Sequence, residues 1–165
     1  MSEKNFSSVT NDFPPVFDEN ARVLILGSLP SVASRAAGFY YMNPQNRFWK
    51  MLSALFGEPF PEMSKEEKIR ALKRRGVALY DVIGSCRLLG SSDSSIKDAE
   101  CTDIPYILQN SKIKKILLNG TKAHSLFLKF YPSLADLAQC LPSTSPANAK
   151  FSLSDLVHIW GEALK

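Results

Sequence analysis

The chain is poor in the groups that hold small secreted or metal-dependent folds together. It has only three cysteines in 165 residues, Cys86, Cys101 and Cys140, and no C-x-x-C pair. An odd, scattered set argues against a disulfide framework or a four-thiolate metal site within the chain, and suits a reducing cytoplasm. Histidine is scarcer still. His124 and His158 fall on expected helices with no partner at metal-ligand spacing, so they read as surface or satisfied core side chains. No metal and no other cofactor is expected. No apolar run approaches the roughly 18 residues of a membrane span, and the start, MSEKNFSSVTNDFPP, lacks the apolar core of a signal peptide. The expectation is a soluble, cytoplasmic monomer with no membrane partner. Charge of one sign is also lacking: 20 Lys plus Arg stand against 16 Asp plus Glu, a net +4. That balance permits nucleic acid as a partner without requiring it. Without a G-x-S-x-G elbow or a Cys-His pairing, a covalent hydrolase is not indicated.

What is present is a globular pattern, with 45% hydrophobic and 22% charged residues. Residues 1–20 are polar, carry Pro14 and Pro15 and show no period, so they read as an N-terminal arm; residues 21–165 read as one domain. Short apolar runs at 21–26 (ARVLIL), 77–83 (VALYDVI) and 113–118 (IKKILL), with a weaker one at 138–141, are the expected strands. Between them lie helical patterns with legible ends. Asn43-Pro44 supplies a cap and a first-turn proline for a helix over 44–56. Ser64-x-x-Glu67 is a capping box for a helix ending at Gly76, and Ser152-x-x-Asp155 opens the last helix. Shorter helical stretches fit 103–110 and 121–131. Alternation of this kind predicts an α/β domain around a small parallel sheet, whose ligands bind beyond the carboxyl ends of the strands.

Two segments stand there. After the first strand comes GSLPSVASRAAGFYYMNPQNRFW, too long and too rich in small residues, aromatics and amides for a plain connection. Gly27, Ser28 and Ser31 would admit a substrate to the backbone, while Phe39, Tyr40 and Tyr41 offer flat faces for a planar base, or simply core. After the last strand comes LPSTSPANA, a rigid polar turn whose hydroxyls and N–H groups suit phosphates, or an ordinary surface turn. Lys112, Lys114, Lys115, Arg70, Lys73, Arg74 and Arg75 read as solvated faces.

Taken together, ILGSLPS, YYMNPQNRFW and LPSTSPANA resemble the uracil-DNA glycosylase superfamily. The likeness is nearest to its hypoxanthine-DNA (deoxyinosine) glycosylase branch, which is related to the mismatch-specific uracil-DNA glycosylases; GVALYDVIGSC and SSDSSIKD look like this branch too. The resemblance runs from about Ala21 to the C-terminus. It implies a three-layer α/β/α sandwich with a central four-stranded parallel sheet, DNA as partner, and hydrolysis of the bond between a deaminated base and its deoxyribose. One departure is informative. The mismatch-specific uracil enzymes carry glycine, an apolar residue, asparagine, proline and glycine in the first motif, and the amide places the attacking water. Here the motif is Gly27-Ser28-Leu29-Pro30-Ser31, and leucine cannot orient water. The hypoxanthine branch also lacks that amide.

The resemblance therefore implies Asn46 as the catalytic amide, with Asn43 as the other candidate; Asn43 also has a sufficient structural task as a helix cap. Tyr41 matches the base-stacking aromatic. Gly27, Ser28, Leu29 and Asn43 complete the expected base-binding set. Ser143, Thr144 and Ser145 would contact phosphates, while Pro146 or Ala147 would press into the vacated stack. Asp81 and Asp93 are supporting candidates. No lysine lies in either motif to form a Schiff base, so the expected enzyme is a monofunctional hydrolase that leaves an abasic site. Two other readings stay open: uracil excision, and a nucleic-acid-binding domain of this fold without catalysis.

Overall fold

The computed structural model describes residues 6–89 and 96–165. Four strands, β2 (Val23–Gly27), β3 (Val77–Asp81), β6 (Lys115–Asn119) and β7 (Ala138–Leu141), form one parallel sheet in the order β3-β2-β6-β7. The strands read as unbroken apolar runs because both faces are covered. Ile25, Leu79 and Leu117 point into one core with Phe48, Trp49, Leu52, Leu72, Leu156 and Trp160. Their neighbours Leu24, Leu26, Ala78, Ile116 and Leu118 point into a second core with Ile104, Ile107, Leu126 and Phe127. The first core is roofed by α2 (Phe48–Phe56), α3 (Lys65–Arg74) and α6 (Leu153–Ala163), the second by α4 (Ile104–Gln109) and α5 (Thr121–Phe130). This is the three-layer α/β/α arrangement, built on the period-two alternation of strand side chains.

Both capping boxes form as the residues indicate. Ser64 Oγ accepts from Glu67 N–H and the Glu67 side chain from Ser64 N–H; Ser152 and Asp155 repeat the exchange at α6.

Four local expectations are corrected. Residues 6–10, read within an aperiodic N-terminal arm, form β1 (Phe6–Thr10), which pairs antiparallel with β4 (Ile83–Leu89); β4 also pairs with β5 (Lys97–Cys101). Farther along that arm Phe13 and Val16 are buried, and Val16 exchanges backbone hydrogen bonds with Leu79. Second, the run 77–83 is not one strand. Val82 and Ile83 donate their N–H groups to the carbonyls of Gly27 and Ser28, and the chain leaves the parallel sheet for the antiparallel one. Third, the long loop after β2 contains a short helix, α1 (Val32–Ala37), capped by Ser31 and closed by Gly38 at φ 72°. Fourth, the helix expected from Pro44 starts at Phe48. Asn43 is no helix cap; its Oδ1 accepts from Gln45 N–H in a local turn.

Candidate active site

The chain leaves β2 for β3 on one side and later returns to β6 on the other, so the sheet has its switch point between the carboxyl ends of β2 and β6. A cavity of about 350 Å³ opens there. It is lined by Gly27 to Ser31 after β2, Asp81 at the end of β3, Asn119 at the end of β6, and Ser143, Thr144, Ser145 and Ala147 after β7; Tyr41 and Asn46 close it from the first loop.

Three side chains hold these loops in place. Trp49 Nε1 donates to the Tyr40 carbonyl at 3.1 Å, fixing the first loop, and Trp160 Nε1 donates to the Pro142 carbonyl at 3.0 Å, fixing the start of the second. Arg47 ties the two together. Its backbone N–H and Nε reach the Thr144 carbonyl, Nη2 donates to the carbonyls of Ser145 (2.9 Å) and Asn148 (3.0 Å), and Nη1 donates to that of Phe151. A fork of five donors suits a row of carbonyls that a lysine could not bridge. The arginine of the Asn-Arg-Phe-Trp segment is thus a clamp, which residue chemistry alone did not reveal.

At the centre lies a chain of side chains spanning both loops and β6. Asn119 Oδ1 accepts from Thr144 N–H at 3.0 Å, and Asn119 Nδ2 donates to Thr144 Oγ1 at 3.1 Å. The Thr144 hydroxyl donates to Asn46 Oδ1 at 2.8 Å, and Phe48 N–H donates to the same oxygen at 2.9 Å. A backbone N–H can only donate, so the Phe48 bond fixes which end of the Asn46 amide is the oxygen. Thr144 is fully buried and its single hydroxyl hydrogen is committed to Asn46. A contact of Thr144 with a substrate oxygen would require that hydrogen to turn away from Asn46. Ser143 and Ser145 use their hydroxyl oxygens to accept from Ser145 N–H and Ala147 N–H, which leaves their hydroxyl hydrogens for a ligand.

The opposite wall is more tightly built. A Cβ on Gly27 would stand 2.7 Å from Asp81 Oδ1 and 3.1 Å from Tyr41 Oη, so any larger residue there must displace those side chains. Asp81 is buried at 3% exposure and receives Asn11 Nδ2 at 3.3 Å. Tyr41 adopts φ 56°, a left-handed conformation that costs a non-glycine residue roughly 1–3 kcal/mol. Its ring is backed by Phe48, with centroids 4.1 Å apart and planes at 24°. Its hydroxyl is buried with no hydrogen-bond partner among the described residues; Asn119 is near enough to favour the phenolate but out of bonding geometry. Burial first, then the charge of Asp81, raises the Tyr41 hydroxyl above the usual phenol range. Phe39 and Tyr40 belong to the core, at 3% and 2% exposure, and the Tyr40 hydroxyl donates to the Pro14 carbonyl.

Of the residues singled out in the sequence, Gly27, Ser28, Leu29, Ser31, Tyr40, Tyr41, Asn46, Asp81, Ser143, Thr144, Ser145 and Ala147 line this one cavity. Asn43 does not; it lines a neighbouring cavity that shares Tyr41 and Asn46. Pro146 is exposed at the tip of the second loop, next to Ala147. Asp93 lies outside the described residues. Asn119 and Arg47 were missed, because an amide closing a strand and an arginine opening a helix carry no local signal of a partner far away in sequence. Among the described residues no group of three His, Cys, Asp or Glu side chains is placed to hold a metal, and no helix is long and apolar enough to cross a membrane.

The uracil DNA glycosylase superfamily model matches residues 14–163. The chain belongs to the uracil DNA glycosylase superfamily. Within it, the chain is 38% identical over 148 residues to a hypoxanthine DNA glycosylase of Methanosarcina acetivorans, covering 87% of this chain and 91% of that protein. It is 35% identical over 157 residues to one of Methanosarcina barkeri, covering 93% and 96%. A solution NMR structure from Methanosarcina acetivorans, described as a candidate uracil DNA glycosylase, superimposes with a TM-score of 0.79 at 36% identity, over 92% of this chain and 94% of that one. The parallel sheet and the two site loops all fall within the matched residues.

Proposed function

We propose that the chain is a monofunctional DNA glycosylase that removes hypoxanthine from deoxyinosine and leaves an abasic site. The observation that carries this reading is the switch-point cavity, where the glycine-floored loop, Tyr41 and the Asn46–Thr144–Asn119 chain meet. The relatives named hypoxanthine DNA glycosylases support the choice of base. In this reading the protein acts as a cytoplasmic monomer on duplex DNA.

The target nucleotide must leave the stack at a cost of a few kcal/mol, least for a mispaired base such as hypoxanthine opposite thymine. In the cavity the base rests on Tyr41, where stacking contributes about 1–3 kcal/mol. Backbone groups of Gly27 and Ser28 read its edge. Asp81 adds an acceptor on the same wall, which suits the N1–H of hypoxanthine and leaves the bare N1 of adenine without a donor. Ser143 and Ser145 hold flanking phosphates, and Pro146 or Ala147 enters the vacated stack.

Cleavage passes through an oxocarbenium-like sugar, for which a positioned neutral water is nucleophile enough. Asn46 Oδ1 is the acceptor that orients this water. In the free protein both its lone pairs are occupied, by Phe48 N–H and the Thr144 hydroxyl. The hydroxyl is a rotor, so turning its hydrogen onto a substrate oxygen frees one lone pair for the water. Substrate binding and water placement are coupled through Thr144.

The test is incubation with duplexes bearing one hypoxanthine, uracil or xanthine, followed by alkaline cleavage. Hypoxanthine should be released, and Asn46→Ala should abolish the release. Cutting that survives Asn46→Ala would overturn the catalytic assignment, and a preference for uracil would overturn the base. DNA binding without any cutting would favour a non-catalytic domain. Trapping of a covalent adduct with borohydride would refute the monofunctional mechanism.

A further inference from the structure

Behind Tyr41 and Asn46 lies a second cavity of about 250 Å³, whose walls include Asn43, Trp49, Lys50 and Lys68. Lys68 is the unusual member. It is only 4% exposed, yet no carboxylate among the described residues lies within ion-pair distance of it; Nζ donates to the Met63 carbonyl at 2.9 Å and stands 5.3 Å from the centre of the Trp49 ring. One backbone acceptor leaves two of the three ammonium hydrogens without a hydrogen-bond acceptor among those residues. Burial lowers the lysine's pKa, opposed by the more distant charges of Glu62 and Glu67. The protein thus keeps a poorly compensated cation under the loop that carries Asn46, where a leucine or methionine would avoid the cost of desolvating a charge.

Two further features of the same cavity favour an anion. The nine-residue α2 begins on its wall; Asn46 Oδ1 accepts from Phe48 N–H, the first of that helix, and Arg47 at the N-cap makes no side-chain capping bond, so the positive end is only partly covered. Lys50, in the first turn of α2, lines the cavity from the exposed side. The main cavity, by contrast, has no lysine or arginine among the described residues of its walls. A nucleotide with its base in that cavity still has phosphates to place, and Tyr41 and Asn46 are shared by both spaces.

We propose that this second cavity is a phosphate subsite, in which Lys68 and Lys50, with the start of α2, take one backbone phosphate of the DNA strand beside the extruded nucleotide. The proposal rests on the DNA glycosylase reading and deepens it. It gives the loop of Asn46 a charged anchor separate from the serine-rich loop, so that seating the phosphate on one side of Asn46 and the base on the other fixes the amide between them.

The experiment measures equilibrium binding to a duplex containing a tetrahydrofuran abasic-site analogue, over a range of salt, for the wild type, Lys68→Met and Lys50→Gln. Each lost phosphate contact should lower the slope of log affinity against log salt by about 0.9. Replacing single phosphates by neutral methylphosphonates should then identify one position, next to the analogue, where both variants bind like the wild type. An unchanged salt slope in folded Lys68→Met, or two variants that map to different phosphates, would overturn the subsite. If Lys68→Met does not fold, Lys50→Gln decides, since its side chain is exposed; an unchanged slope there has the same consequence. Because the ligand is not cleaved, a protein that binds in this way yet releases no hypoxanthine would refute the glycosylase reading and leave the subsite standing.

Discussion

The two ends of the parallel sheet carry cavities of similar size and opposite character. At the carboxyl end the space is about 350 Å³ and is lined by hydroxyls, amides, tyrosines and one buried carboxylate. At the amino end a cleft of about 400 Å³ is lined by Arg22, Arg74, Arg75, Lys115 and Lys165. By charge alone the amino-end cleft would be the place for DNA. Its cations are largely committed, however. Arg74 and Arg75 both bind Glu58, at 2.7 and 2.8 Å, Lys115 donates to the Ala163 carbonyl at 2.7 Å, and Lys165 pairs with Glu162 at 3.0 Å. These contacts fasten the end of α3 to the segment after α2 and the end of α6 to the start of β6. At the carboxyl end groups are left over among the described residues: a Tyr41 hydroxyl with no partner, hydroxyl hydrogens on Ser143 and Ser145 with no acceptor, and a glycine whose Cβ would press on Asp81 and Tyr41. Uncommitted groups mark the site better than net charge does.

The largest effect should come from Asn46→Ala, about 10³-fold in single-turnover release of hypoxanthine, since the variant removes the water's acceptor; the melting temperature should also fall by a few degrees, because the Thr144 hydroxyl and Phe48 N–H lose their shared acceptor. Gly27→Ala should follow at about 10²-fold, because displacing Asp81 and Tyr41 shifts the base by a fraction of an ångström. Its crystal structure would show those two side chains moved. Tyr41→Phe separates folding from function. Removing a buried, unpartnered hydroxyl should leave thermal stability equal or raised by about 1 kcal/mol, while activity falls about tenfold if the hydroxyl meets the base. Unchanged activity would show that the ring alone matters.

The smallest effect belongs at the amino end. Glu58→Gln should cost less than about 1 kcal/mol of stability and leave hypoxanthine release unchanged. Its signature is in pH. Arg75 and Arg74 hold the Glu58 carboxyl below the usual glutamate range, so the stability it contributes is present at neutral pH and is lost as the pH falls through its folded-state value. A melting series in acid should show that loss for the wild type and not for the variant. Impaired catalysis in Glu58→Gln would mean that the two ends are coupled.

Much of the scaffold was legible from residue order. Apolar runs announced the four parallel strands, and Ser64-x-x-Glu67 and Ser152-x-x-Asp155 announced α3 and α6, because such signals act within a turn or two of chain. The antiparallel sheet was not legible. β1 is polar and aperiodic, and it becomes a strand only by pairing with β4, which lies far along the chain. Local sequence assigned the two candidate amides different places: Asn43 had the features of a cap and Asn46 those of an early helical residue. The fold reverses part of that, with Asn43 in a local turn and Asn46 held by Phe48 and Thr144.

The sequence by itself determined the α/β pattern, the two polar loops and the chemistry available in them, because periodicity, capping and turn preference act between near neighbours. Tertiary structure decided which of those groups meet. Asn46 and Thr144 are separated by 98 positions, as are Arg47 and Ser145. The burial of Thr144 and of Lys68 likewise depends on packing between elements. Hydrogen bonds and desolvation depend on distance in space, and a chain whose three cysteines are all free specifies that distance only by folding.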